Sequence, residues 1–327
     1  MKHLNSSHKT ASKHYSFVNI LSASDLTRRR LPRMSIVSPV PGPTLWLTAC
    51  GHGDEVSGMV IIQELFKRLG KALLCGSVHA LPLMNPLGFE TATRHLPLSR
   101  EDLNRSFPGN PDGTLGERMA HAISKVIEET RPDLVLDLHN DWIESIPYVL
   151  IDHDPGKAQA ETVSFIQRIA LDSGFCVIRD TDELYTSLSY TLLQKNIPAL
   201  TVELGKPHVF SELNLEHGFN GIWNMLATLG IVHQTTEPFR YPLPSQYQAR
   251  RILRYTDKPY GTHTGVIRFM VKPGMSVRGG QGLAQIRNVF GKRLETIKAS
   301  QAGLILGHAD SAAAHPGVPL VALGVPE

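Results

Sequence analysis

From residue 43 to about 230, short apolar runs alternate with stretches of helical period. That pattern predicts an α/β fold, a mostly parallel sheet flanked by helices. The runs are Pro43–Cys50, Leu73–Leu81, Asp133–Leu138, Pro147–Asp152, Phe175–Arg179 and Pro198–Glu203. Between them Met59, Ile62, Leu65, Phe66 and Leu69 keep three- and four-residue spacing, as do Met119, Ile123, Val126 and Ile127, and then Ile166, Ile169 and Ala170. These three stretches predict helices packed on the sheet. Residues 85–113 break the pattern, being rich in Pro, Gly, Asn and charge without a sustained period. A loop of that length in a compact domain usually serves a function.

The pattern changes again near residue 237. Glu237–Gln248 carries three prolines and reads as a linker. Beyond it, Thr264-Gly265-Val266-Ile267 leads to Gly274, Val277, Gly280 and Leu283, and Ala302-Gly303-Leu304-Ile305 leads to Gly317, Pro319, Leu320 and Val321. Two similar halves of strand, glycine turn and strand predict a small all-β domain like a barrel-sandwich. Its shape resembles biotinyl and lipoyl domains, but no Met-Lys-Met stands at its turn, so no carrier role is expected. The expected organisation is an α/β domain over 1–236 and a β domain over 237–327, the latter covering the mouth of the site.

Charge sharpens this division. Residues 1–35 hold Lys2, Lys9, Lys13, Arg28, Arg29, Arg30 and Arg33 against Asp25 alone, within a chain of net charge +3. The body is therefore slightly acidic, without the cationic face that nucleic acid requires. The basic segment reads as a solvated strand or arm, or as an organelle transit peptide. No apolar run reaches the roughly 18 residues of a membrane span. Cys50, Cys75 and Cys176 are odd in number and far apart, and read as reduced thiols of a cytoplasmic protein. A homo-oligomer is compatible with all of this.

Four chemically capable residues fall at or just beyond the carboxyl ends of predicted strands: His52, Glu55, His139 and Glu203. That edge is where open α/β sheets bind ligands. His52-Gly-Asp-Glu55 lies on a strand-to-helix turn, where Gly51 and Gly53 are available for positive φ. With His139 it makes a His₂Glu set, a known catalytic zinc constellation that leaves a position for water. Each His taken alone is better explained by a satisfied structural position, and it is the shared strand edge that points to a metal site. Glu203 would enter the pocket as general base and acid. Asp137, two residues before His139, shares its face of the strand and suits an orienting role. His79, His95, His121, His153, His208 and His217 are expected to be structural.

The loop supplies Arg94, Asn104 and Arg105, whose guanidinium forks and amide suit a substrate carboxylate or a tetrahedral oxyanion. Arg105 paired with Asp102 or Glu101 is an equal alternative. Gly51-x-Gly53 imitates a dinucleotide fingerprint, but Val56 replaces its third glycine and Glu55 would repel a pyrophosphate.

Taken in order, G-H-G-D-E-x-x-G, N-P-x-G-F, D-L-N-R-x-F-P-G, D-L-H-N and V-E-L-G resemble the succinylglutamate desuccinylase/aspartoacylase family of zinc deacylases, relatives of metallocarboxypeptidases. The later T-G-V-I, V-K-P-G-M-S-V and G-Q-G-L-A-Q-I segments resemble its C-terminal β domain. The resemblance implies a zinc-carboxypeptidase-like fold and one Zn²⁺ per chain on His52, Glu55 and His139. It implies Glu203 as base and acid, with Arg94, Asn104 and Arg105 contacting substrate and oxyanion. The expected activity is hydrolysis of the amide bond of a small N-acyl amino acid or related amide. A metallocarboxypeptidase and a catalytically silent metal-binding or interaction protein are the rival readings. Aspartoacylases proper carry a further Arg before the V-E-x-G segment. Here Ser189-Tyr190-Thr191-Leu192-Leu193 stands instead, so a side-chain carboxylate loses a cationic partner unless Arg179 or Lys195 replaces it.

Overall fold

The computed structural model describes residues 11–154, 156, 158–181, 185–248 and 251–327. Lys2 and Lys9 of the basic segment lie outside the described residues. In chain order the strands and helices begin with β1 Ser12–Ser22, β2 Arg28–Val37, β3 Thr44–Ala49, α1 Ser57–Ala72, β4 Ser77–Leu81, α2 Pro86–Glu90, α3 Leu115–Glu128 and β5 Leu134–His139. They continue with β6 Glu144–Ser145, β7 Tyr148–Ile151, α4 Ala160–Asp172, β8 Cys176–Arg179, α5 Leu188–Leu193, β9 Ala199–Glu203 and α6 Glu212–Thr228. The rest is β: β10 Ile252–Thr256, β11 Gly265–Phe269, β12 Ser276–Val277, β13 Gly282–Arg287, β14 Arg293–Lys298, β15 Gly303–His308, β16 Ala313–Ala314 and β17 Val321–Pro326.

The six predicted strands and three predicted helices are all present, with ends shifted by a few residues. In the main sheet the order runs β1-β2-β4-β3-β5-β9-β7-β8-β10-β17-β15-β12. The strands β4, β3, β5 and β9 are parallel. Strand β7 departs from the expectation and runs antiparallel to β9, pairing Tyr148 with Glu203 and Leu150 with Thr201.

Strand alternation sorts the side chains into two layers. Leu45, Leu47, Leu134, Leu136, Leu138, Leu200 and Val202 face the core built with α1, α4 and α6. Trp46, Val135 and Ala199 face the opposite core, with Met119 and Ile123 of α3 and Leu188 and Leu192 of α5. By the same period, Thr48, Asp137, His139, Thr201 and Glu203 belong to the α3/α5 face.

Part of the basic N-terminal segment is built into the sheet and is not a free arm. Strand β2 pairs antiparallel with β4, burying Leu31 and Ile36, and β1 forms the outer edge. The C-terminal β region is likewise joined on: β10 pairs with β8, and β17, β15 and β12 extend the same sheet. A second sheet, β14-β13-β11-β16, folds over them around a separate apolar cluster that includes Ile267, Leu283, Ile286 and Ile305. Among the described residues no helix is long and apolar enough to cross a membrane.

Candidate active site

The turn after β3 presents the first two functional side chains. Neither Gly51 nor Gly53 takes positive φ; Cys50 does, at 52°. Gly53 is needed for a different reason, because a Cβ there would lie 2.0 Å from the Gly88 carbonyl carbon. Its N–H donates to the Thr93 carbonyl at 3.1 Å. The His52 turn is thereby clamped to α2 and to the long loop. Within that loop Asp102 accepts from the Asn104 N–H at 2.9 Å and starts a single 3-10 turn, Leu103–Arg105.

Three ligand atoms from His52, Glu55 and His139 lie within 4.8 Å of one another, and all three residues are buried. Both imidazoles turn Nδ1 toward Glu55, at 2.6 Å from Oε1 for His52 and 2.7 Å from Oε2 for His139. Behind them, His52 Nε2 is 3.0 Å from Asp102 Oδ1 and His139 Nε2 is 2.9 Å from Asp137 Oδ2. Asp137 is fixed in turn by the Thr48 hydroxyl at 2.6 Å, and the Asn140 N–H donates to Glu55 Oε2 at 3.0 Å.

A carboxylate behind each ring holds the proton on Nε2 and leaves Nδ1 as the metal-facing nitrogen. Two imidazole nitrogens and a carboxylate fit Zn²⁺ in number and type. Burial disfavours the charged form of His52, but Glu55 and Asp102 outweigh it and raise its pKa. For His139 the raise is larger, with Asp137 and Glu55 overcoming burial. Burial opposes ionisation of Glu55 as well, yet the two imidazoles hold its carboxyl below the usual range. These shifts describe a cluster of buried negative charge balanced by protons at the positions a cation would take.

Glu203 stands beside His139 in the register of β5 and β9. Its Oε2 is buried without a hydrogen-bond partner. Burial and the Asp141 carboxylate push its pKa well above the ordinary value, against the pull of His139. Both residues line a cavity of about 220 Å³ that also holds Arg94, Asn104, Arg105 and Tyr255.

The three loop residues differ in their freedom. Arg94 spends its guanidinium on Asp102, at 3.2 and 3.3 Å, and reaches Glu55 at 3.4 Å. Asn104 accepts from the Leu188 N–H at 3.0 Å and lies 3.4 Å from His139 Nε2. Arg105 donates to the Asn104 carbonyl at 2.9 Å rather than to Asp102 or Glu101. Arg179 and Lys195 bond to Glu327 and Glu128 and do not line the cavity, so neither replaces the absent arginine.

Asp102 behind His52 was not expected, because a loop without period gives no facing rule; the sequence offered it only as a partner for Arg105. Asp141, Tyr148, Asp152 and Asp180 also line the cavity and were missed. Burial pushes Asp152 up to about 7, with Asp180 adding to the rise and Ser189 opposing it. Of the histidines expected to be structural, His79 stacks on Trp46 at 5.2 Å, and burial and Arg33 lower its pKa to about 4.

A sequence model described as the succinylglutamate desuccinylase/aspartoacylase catalytic domain matches residues 41–229. The N-alpha-acetyl-L-2,4-diaminobutyric acid deacetylase of Halomonas elongata is 27% identical over 261 residues, 77% of this chain and 73% of that enzyme. Among solved structures, the product-bound ectoine utilization protein EutE (DoeB) from Ruegeria pomeroyi matches with a TM-score of 0.82 at 21% identity. That match covers 97% of this chain and 95% of the other. A metallo-carboxypeptidase from Burkholderia cenocepacia shares the fold at a TM-score of 0.53 and 16% identity, covering 68% of this chain and 65% of its own.

Proposed function

The chain belongs to the succinylglutamate desuccinylase/aspartoacylase family, and from that premise we propose that it is a zinc-dependent deacylase. Its reaction is hydrolysis of the amide bond of a small N-acyl amino acid. The observation that carries this reading is the convergence of His52, Glu55 and His139, each ring backed by a carboxylate, beside the unpartnered oxygen of Glu203.

His52 Nδ1, His139 Nδ1 and the Glu55 carboxylate would hold the cation. Bound there, Zn²⁺ supplies a Lewis acid for the amide carbonyl and makes water a competent nucleophile near pH 7. Glu203 takes the proton from the attacking water and delivers it to the leaving amine, a role served by a carboxyl whose pKa burial has raised. Arg105 stabilises the tetrahedral oxyanion, where one well-placed donor is worth ~3 kcal/mol. Arg94 and Asn104 sit at the same end and orient the substrate's α-carboxylate. A cavity of about 220 Å³ suits a small amide better than a peptide, which favours deacylation over peptide trimming.

The acetyl group named for the Halomonas elongata relative makes acetyl the first acyl group to try. The test is to measure bound metal, strip it, and assay apo and zinc-restored protein on N-acetyl, N-succinyl and N-formyl amino acids. Amine release that vanishes with the metal and returns with zinc is expected. Equal release by apo and restored protein would refute the reading.

A further inference from the structure

Asn140 follows the metal ligand His139 and closes the D-L-H-N motif, yet the proposed chemistry leaves its side chain unused. That side chain belongs to a residue only 5% exposed, and both polar atoms of its amide are engaged. The amide nitrogen donates to the carbonyls of Gly205 and Lys206 at 2.8 and 2.9 Å, with the Ser57 hydroxyl 3.1 Å away. The amide oxygen accepts from the Ser57 N–H at 3.3 Å. Carbonyls on one side and an N–H on the other leave the amide a single orientation.

These contacts join three segments. Ser57 opens α1 shortly after Glu55, whose Oε2 accepts the Asn140 backbone N–H at 3.0 Å. Gly205 and Lys206 follow Glu203 where the chain leaves β9, with Gly205 at φ 77°. The Leu204 N–H donates to the His139 carbonyl at 2.9 Å, and the His208 N–H to the Asp54 carbonyl at 2.7 Å. The exit of the Glu203 strand is thus stitched to both turns that carry the metal ligands. Asn140 bonds through its side chain to two of the three segments, while its own backbone belongs to the third. No hydrogen bond reaches Glu203 Oε2, so the backbone on either side of Glu203 has to place that oxygen.

We propose that Asn140 is a positioning residue, which holds Glu203 in place relative to the metal ligands and acts on the reaction through Glu203. The proposal rests on the deacylase reading for what Glu203 does, and on the hydrogen bonds of Asn140 for where Glu203 is held. A leucine at this position fills a similar space but offers the Gly205 and Lys206 carbonyls no donor. The backbone N–H on Glu55 survives such a substitution. Replacing the side chain should therefore misplace Glu203 while the metal stays.

The test compares zinc-loaded full-length Asn140→Leu and Asn140→Ala with wild type, on whichever N-acetyl, N-succinyl or N-formyl amino acid the wild type hydrolyses. Asn140→Leu serves where the cavity left by Asn140→Ala prevents folding. The variants should keep their zinc and a KM within ~2-fold of wild type, while kcat falls ~10–100-fold. In a Glu203→Gln background the same substitutions should lower kcat by less than ~2-fold, because the residue they act through is already gone. Equal losses in the two backgrounds, an unchanged kcat, or loss of zinc together with kcat would overturn the positioning role. Amide hydrogen exchange of the same zinc-loaded proteins needs no substrate. Faster exchange at Leu204 and His208 in Asn140→Leu supports the anchor, and unchanged exchange overturns it. Faster exchange there, with no derivative hydrolysed by wild type, overturns the deacylase reading and leaves the anchor standing.

Discussion

The metal-ligand cluster and the half-satisfied carboxyls of the same cavity treat buried charge in opposite ways. Within the His52, Glu55 and His139 cluster each ligand is held by a neighbour: Asp102 and Asp137 behind the rings, Thr48 behind Asp137, the Asn140 N–H on Glu55. Glu203 beside that cluster and Asp152 further along the cavity each keep a buried carboxyl oxygen with no hydrogen-bond partner. A fully satisfied cluster sets the position of whatever binds between its members, because no side chain can turn without losing a bond. An unsatisfied carboxyl oxygen costs free energy until a proton or a ligand's donor reaches it. The first is built to hold position, and the second leaves a carboxyl oxygen open to a proton or a ligand.

Removing a member of the satisfied end should produce the largest effect. His139→Ala is expected to lose bound zinc and turnover together, read by metal analysis beside an amine-release assay; full zinc occupancy in this variant would remove His139 from the ligand set. Glu203→Gln should separate the two readouts, keeping the metal while kcat falls ~10²–10⁴-fold. Undiminished kcat would take Glu203 out of proton transfer. Asp102→Asn leaves the ligands in place but weakens the support behind His52, so zinc affinity should drop ~10–100-fold in a competition titration with a chelator. Activity should then return in excess zinc, which a folding defect would not allow.

The smallest effect belongs to the Asp152 end in metal-free protein. Asp152 has its pKa raised to about 7, so the folded state keeps a proton that the unfolded chain releases near pH 4. The wild type should therefore lose stability relative to Asp152→Asn as pH rises from 4 to 7. The variant should be the more stable at pH 8 by ~1–2 kcal/mol and gain no advantage below pH 4. Thermal midpoints across that range check the sign, and parallel curves would show that Asp152 titrates normally.

The contrast also marks what could be read in advance. His52, His139 and Glu203 were legible because each closes an apolar run, and parallel strands bring such ends to one edge. Asp137 was legible because a strand repeats its face every second residue. Asp102 was not, since it belongs to a loop whose course is set by the close approach of Gly53 to Gly88. Asp152 and Asp180 were hidden by strand direction. The alternating pattern predicts parallel strands, and only the antiparallel β7 carries Asp152 away from the metal edge along the cavity floor. The N-terminal hairpin was obscured by its charge, because Arg30 and Arg33 lie over Phe17 and Trp46 at 4.0 and 5.2 Å while Leu31 and Ile36 enter the core.

Zinc K-edge absorption of the reconstituted protein addresses the central claim most directly. One zinc per chain in a shell of nitrogen and oxygen near ~2.0 Å is predicted, with a spectrum that His139→Ala abolishes. Sulfur scattering near ~2.3 Å, or a spectrum unchanged in that variant, would place the metal elsewhere and contradict the account.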